Sequence, residues 1–198
     1  LPTPYEFVCA ENDENYPLPF GKIQDASTTL IERKHLSYLG GIYVDVFPYD
    51  GVPASQLKRR VHYASFECFK QILYLVYRDP YKHGHGPSCW IPLLCRKLFT
   101  KKGIQQKIRR ILTKYDFDQC HYTADYTDGL RGVMRKSVYD TYAYYEFEKE
   151  KVQGPKLYEE YLTRIYGDYK QLPDAEHRRQ HNFYYLDLNK PYKEYREK

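Results

Sequence analysis

The chain has 198 residues, 42% hydrophobic and 29% charged, with a formal net charge of +5; that suffices for one domain with a core and is cramped for two. No stretch of about 18 apolar residues occurs, which leaves out a membrane-spanning helix. Five scattered cysteines (Cys9, Cys68, Cys89, Cys95, Cys120) are odd in number, which argues against a secreted disulfide framework and for free thiols in a reducing compartment.

The chain opens on Leu1-Pro2-Thr3-Pro4, without signal peptide or initiator Met, so we expect it to start inside a longer protein or to be processed. Residues 5–9 alternate weakly and read as a strand, and 11–19 as a loop broken by Asn12, Asn15, Pro17 and Pro19. Phe20–Asp25 and Thr28–Ile31 read as two strands joined by a tight turn at Asp25-Ala26-Ser27. With 41–47 they are expected to form a small antiparallel meander.

In 41–47, Ile42, Val44 and Val46 alternate with Tyr43, Asp45 and Phe47, the period of a strand with two distinct faces. Gly40-Gly41 opens it, and Pro48 with Asp50-Gly51 is expected to close it as a turn. Asp45 then lies opposite the aliphatic row. A mid-strand carboxylate has poor β propensity. It is either part of a solvated sheet face or a metal or catalytic group held on a rigid strand.

Ser55 is expected to cap a helix running to about Arg78, with Leu57, Val61, Ala64, Cys68, Ile72 and Leu75 as its buried stripe and Asp79-Pro80 as its stop. Residues 81–90 read as a loop. A basic helical stretch follows, broken near Gly103, with Ile104, Ile108, Ile111, Leu112 and Tyr115 inward. Residues 116–140 read as irregular with up to two short strands. Gly154-Pro155 is expected to start a helix that buries Tyr158, Tyr161, Leu162 and Ile165 and ends at Gly167. Asp174 starts a last short helix, and the tail from Lys190 is expected to fray. Strands first and helices after make the fold α+β.

From Arg96 to Lys114 the chain carries eight basic residues and no acidic one, leaving the remainder net negative. Such a block suits an anionic membrane, a nucleic acid or a phosphate-rich substrate, or forms a solvated helix face. No DNA- or RNA-reading motif accompanies it, so no specific nucleic-acid partner is expected. His83, His85, Cys89 and Cys95 are close in sequence but match no usual zinc spacing. Asp116-Phe117-Asp118 offers two carboxylates that could share a strand face, or a polar turn after a helix end. There is no phosphate loop and no nucleophile elbow. What residue types leave is Asp45 on its strand, Lys22 and Asp25 on a neighbouring one, and a basic helix, a set that suits metal-assisted chemistry on a phosphate ester.

Read together, the motifs resemble a known family. Pro17-Leu18-Pro19-Phe20-Gly21-Lys22-Ile23-Gln24-Asp25 followed by Thr28-Thr29 resembles the Lys-Ile-x-Asp-x-x-Thr-Thr segment of the LicD family. Gly41-Ile42-Tyr43-Val44-Asp45-Val46-Phe47-Pro48-Tyr49-Asp50 is similar to that family's next motif. Tyr161-Leu162, Tyr166-Gly167-Asp168-Tyr169, Leu172-Pro173, Arg178 and His181 follow in the family's order, while residues 80–130 match little.

The resemblance implies a nucleotidyltransferase-like fold of the DNA polymerase β type, as a single domain with its sheet part over 5–53 and a mainly helical part over 55–198. It also implies transfer of a phospho-alcohol such as phosphorylcholine from a CDP-linked donor to a cell-surface glycan: a lipopolysaccharide, teichoic acid or capsule precursor. Such folds hold Mg²⁺ with an Asp-x-Asp plus a third carboxylate, and by position Asp45 resembles the third, as catalytic and metal-binding residue. Lys22, Asp25, Arg178 and His181 are the candidates for substrate and phosphate contact; Asp50 fits the turn into Gly51, and Tyr166 and Gly167 fit helix termination. The family's Asp-x-Asp run lies upstream of Lys22 and is not found here, so the chain resembles the C-terminal part of such a transferase, with an incomplete magnesium site and little activity expected in isolation. The contrasting expectation is an inactive binding module docking an anionic membrane or polymer through 96–114. Free cysteines point to the cytoplasm, with peripheral membrane contact through that segment.

Overall fold

A computed structural model of the chain describes residues 1–83, 86–178 and 182–196. Among these the order is β1 (Tyr5–Val8), β2 (Gly21–Asp25), β3 (Thr29–Ile31), β4 (Tyr43–Val46), β5 (Asp50–Val52), α1 (Gln56–Tyr77), α2 (Pro87–Leu98), α3 (Lys101–Leu112), β6 (Tyr122–Ala124), β7 (Val133–Arg135), β8 (Tyr142–Phe147), β9 (Glu150–Pro155), α4 (Tyr158–Tyr166) and β10 (Tyr185–Asp187). The content is α+β, with small antiparallel sheets. Contacts divide the chain into two compact units. One is Leu1–Pro48, Glu67–Arg110 and Gln180–Lys198; the other is Tyr49–Phe66 and Ile111–Arg179.

The first unit is built on the antiparallel sheet β1-β2-β4. Lys22 stands opposite Asp45 and Ile23 opposite Val44, while Phe7 stands opposite Ile23 on the other side. The turn after β2 is fixed locally. The Asp25 carboxylate accepts hydrogen bonds from Ser27 N (2.9 Å) and Ser27 Oγ (2.6 Å), the side-chain turn that Asp favours. Thr28 Oγ1 donates to Asp25 O and accepts from Ile42 N, both short bonds, so this turn also sets where β4 begins.

β3 does not join the expected meander. It pairs with β10, with Ile31 opposite Tyr185, because Asp25-Ala26-Ser27 carries the chain off the sheet rather than back along it. The tail is correspondingly tied down: Thr29 Oγ1 donates to Lys190 O at 2.7 Å, and Tyr192 OH and Lys193 Nζ both reach the Glu6 carboxylate. Thr29→Val keeps the shape of this fully buried side chain and removes its bond. We expect a loss of about 1 kcal/mol, read by urea denaturation, with hydrogen exchange accelerating at 185–187; unchanged exchange there contradicts the tether.

α1 forms where expected, yet a different stripe is buried. Leu57, Val61, Ala64 and Cys68 are exposed, and the interior takes His62, Phe66, Leu73, Val76 and Tyr77. Both stripes have helical spacing; aromatic area and a satisfied histidine decide between them. The basic stretch is two helices, and α2 begins at Pro87, inside the expected loop. The break falls at Phe99-Thr100 rather than Gly103, because Thr100 Oγ1 accepts from Gly103 N and caps α3. Ile104 and Ile108 are buried as expected. Arg96 closes the end of α1, donating from Nε to Val76 O and from Nη2 to Arg78 O, each at 2.9 Å.

In the second unit β5, β6 and β7 form an antiparallel sheet. Asp50 and Gly51, expected as a turn, pair with Ala124 and Thr123 as strand residues. Burial, with the charge of Asp125 added, pushes the Asp50 carboxyl above its ordinary value. His62 Nε2 donates to Ile111 O at 2.6 Å and Nδ1 accepts from Tyr126 OH at 2.9 Å; burial lowers its pKa, so it is a neutral core histidine. Gly154-Pro155, expected to open a helix, instead ends β9 of the β8–β9 hairpin. α4 follows, buries Ile165, and ends at Gly167 with φ +72°. The expected last helix is one turn, Ala175–His177.

Candidate active site

The site grows from the pairing of β2 with β4 in the first unit. Side chains alternate across a strand, so Lys22, Gln24, Tyr43 and Asp45 share one face, and Ile23, Asp25, Val44 and Val46 the other. The aliphatic face is the exposed one: Val44 is 70% accessible. Asp45 points the other way, its side chain 30% accessible beside Lys22. Of the two readings of Asp45, the solvated sheet face does not describe it: the carboxylate is partly covered and the aliphatic row is the open side. On the inner face the Lys22 ammonium stands beside Asp45.

Lys22 is 1% exposed. Its Nζ lies 2.9 Å from Glu32 Oε2 and 4.0 Å from Asp45 Oδ1, and 3.2 Å from the centroid of the Tyr43 ring. Tyr43 OH donates to Glu32 Oε1 at 2.7 Å. One cation is thus held by two carboxylates and a π-face, the arrangement a buried charge requires. Burial lowers the Lys22 pKa, opposed by the hydrogen bond and charge of Glu32 and by the charge of Asp45. Tyr43 is pushed well above its ordinary value, first by burial and then by Glu32.

A tyrosine layer backs this cluster. Tyr16 is fully buried and meets Tyr38 edge-on at 5.1 Å. Burial, then the charges of Tyr38, Asp45 and neighbouring acids, raises its pKa far beyond the normal range. Its hydroxyl has no hydrogen-bond partner among the described residues. Tyr38 OH donates to Gln24 Oε1 at 2.7 Å, and Gly41 N reaches the same oxygen at 3.4 Å. Gly41 is required by contact: a Cβ there would sit 1.8 Å from Asp25 O.

The structure brings Lys22 and Asp45 together. Asp25 lies on the opposite face of the same sheet, occupied with its own turn. Arg178 belongs to the second unit, where its Nε donates to Pro173 O at 2.8 Å. His181 lies outside the described residues, as does His85 of the loop read for zinc; Cys89 Sγ donates to Pro80 O. Asp116 accepts from Asp118 N, a polar turn within one segment. Sequence reasoning missed Glu32, Tyr43 and Tyr16. Tyr43 carried a signal, standing two residues from Asp45 on the same strand face; Glu32 carried none.

Among the described residues no three His, Cys, Asp or Glu side chains converge to hold a metal. For Mg²⁺ the fit is therefore limited. Asp45 is a partly open carboxylate, suited to the mode in which one or two carboxylates share the ion with substrate phosphates, and an all-protein cage is absent from this set. No helix among the described residues is long and apolar enough to cross a membrane.

No family profile matches the chain, and no solved structure does. The chain is similar to a lipopolysaccharide cholinephosphotransferase, LicD, of Haemophilus influenzae: 28% identical over 179 residues, covering 84% of this chain and 64% of that protein. It thus spans less than two thirds of the length of that relative.

Proposed function

We propose, on the support this likeness gives to membership of the LicD family, that the chain carries the acceptor-side half of a phosphotransferase site. The reaction moves a phospho-alcohol such as phosphorylcholine from a CDP-linked donor to a hydroxyl of a cell-surface glycan such as lipopolysaccharide. A new O–P bond forms to the glycan oxygen, the P–O bond to CMP breaks, and the glycan hydroxyl loses its proton. The observation that carries this reading is Asp45: a carboxylate on a rigid strand, partly open, with a buried ammonium 4.0 Å from it.

In this reading Asp45 accepts the hydroxyl proton and aligns the attacking oxygen. Lys22 is the cation nearest to where a donor phosphate meets Asp45, and with Glu32 it fixes that carboxylate in place. Mg²⁺, when bound, supplies neutralisation of phosphate charge, with Asp45 as its protein ligand. Asp25 contributes by building the turn that sets β4. The nucleotidyltransferase-like fold belongs to the same proposal.

Asp45→Asn tests it in the natural protein that contains this chain, with CDP-choline and lipopolysaccharide as substrates. Transfer should fall about 100-fold or more, the scale of a lost general base, with circular dichroism unchanged. Turnover within a few-fold of wild type would remove Asp45 from the chemistry. A second reading is favoured by the exposed basic residues Lys97, Lys102 and Arg110: contact of segment 96–114 with an anionic surface.

A further inference from the structure

We propose that the exposed face of α2 seats the protein on an anionic lipid bilayer, with Trp90, Ile91, Leu94 and Leu98 entering the interface. This deepens the anionic-surface reading of the basic segment and does not depend on the transferase chemistry.

α2 has its apolar residues on the outside. It buries Cys89 and Pro92 and is fastened to the end of α1 through Arg96 and to Pro80 beyond it through Cys89. Its large side chains face water: Trp90 is 67% accessible and Leu98 65%, with Ile91 and Leu94 above half. Trp90, Leu94 and Leu98 follow at steps of four, so they form one stripe along the helix, with Ile91 beside it. A helix of this length is about 18 Å long, well short of the roughly 30 Å of a bilayer core. It can therefore lie along the interface but cannot cross.

Charge selects the partner. No acidic residue occurs between Asp79 and Asp116. Lys97 lies at the edge of the apolar arc, next to Trp90 on the helix wheel, where a long side chain covers hydrocarbon and keeps its ammonium at headgroup level. Lys102 and Arg110 on α3 add exposed positive charge. A second copy docking face to face would set Lys97 and its basic neighbours against themselves. A nucleic acid would match the charge but offer no hydrocarbon to the Trp90–Leu98 stripe. An anionic bilayer matches both, with basic residues at phosphates and apolar residues below them.

Trp90 is the only tryptophan, so its fluorescence reads this face alone. We would titrate the whole chain with phosphatidylcholine vesicles, with and without phosphatidylglycerol. The expected result is a blue shift with the anionic vesicles, quenched by brominated acyl chains and weakened by salt. Leu94→Ser and Leu98→Ser, both at exposed positions, should each weaken binding about tenfold or more, with circular dichroism unchanged. Lys97→Glu should reduce the preference for anionic vesicles. No shift with anionic vesicles overturns the proposal, as does binding indifferent to the two serine variants. A shift that grows with protein concentration and without lipid also overturns it, and assigns the face to self-association. Phosphotransfer is not read in this assay, so either idea can fail without the other.

Discussion

Lys22→Met is expected to destabilise the protein by about 2–3 kcal/mol and to suppress the proposed phosphotransfer. Methionine keeps the length and apolar stem of the side chain, so packing changes little. What is lost is the cation common to Glu32, Asp45 and the Tyr43 ring. Breaking a fully buried pair costs about 3–5 kcal/mol because the partner charge stays behind; here the two acids keep about a third of their side-chain exposure, which lowers the figure. The double variant Lys22→Met/Glu32→Gln should recover part of the loss, a coupling of about 1 kcal/mol or more in a double-mutant cycle. Urea denaturation of the four proteins measures it, and additive losses would dissolve the proposed network.

The same group gives a signed pH effect. Lys22 holds its proton less tightly when folded than its ordinary 10.5 implies. The part of its effect that titrates is the cost of burying the charge: relief from that cost is present above 10.5 and lost as pH falls through the folded pKa, below which Glu32 and Asp45 hold it as the cation. Stability on the alkaline side should carry this component in the wild type and lack it in Lys22→Met.

Gly41→Ala is the second large effect. The added methyl would meet Asp25 O at 1.8 Å and Thr28 Oγ1 at 2.8 Å. The first of these is backbone, held by Asp25 N donating to Ile42 O at 2.7 Å, so β4 must move away from β2 to make room. We expect a loss of about 3 kcal/mol or more, with the proposed transfer falling as Asp45 leaves its register with Lys22. Gly40→Ala is the control: its Cβ meets side-chain atoms of Tyr38 and Gln24, which can turn aside. Thermal denaturation separates them, and equal, small losses would mean that β4 accommodates the methyl.

Legibility in the sequence followed the range of the interactions. β1, β2 and β4 were readable from alternation, α1 and α4 from helical spacing, and the end of α4 from Gly167, because each signal is local. Partner choice was not local: β3 pairs with Tyr185–Asp187 at the far end of the chain, and Glu32 reaches Lys22 from beyond a turn. Which face of a strand is inside is also a tertiary decision. The alternation of Ile42, Val44 and Val46 with Asp45 left open which row is inside; with Lys22 on the neighbouring strand beside Asp45, the aliphatic row is the exposed one. The start of α2 was hidden for the opposite reason, since the glycines and proline of 81–90 read as loop while Pro87 in fact starts the helix.

The outward row has a consequence for the behaviour of the material in solution. β4 is an edge of its sheet, and an edge strand that shows aliphatic side chains is a template for strand addition and aggregation. The pleat separates that hazard from the chemistry within a span of four residues. Edge aggregation is a matter for Val44 and Val46, and the proposed proton transfer for Asp45 between them. A charged side chain at position 44 can blunt the edge without reaching Lys22 and Asp45 on the other face.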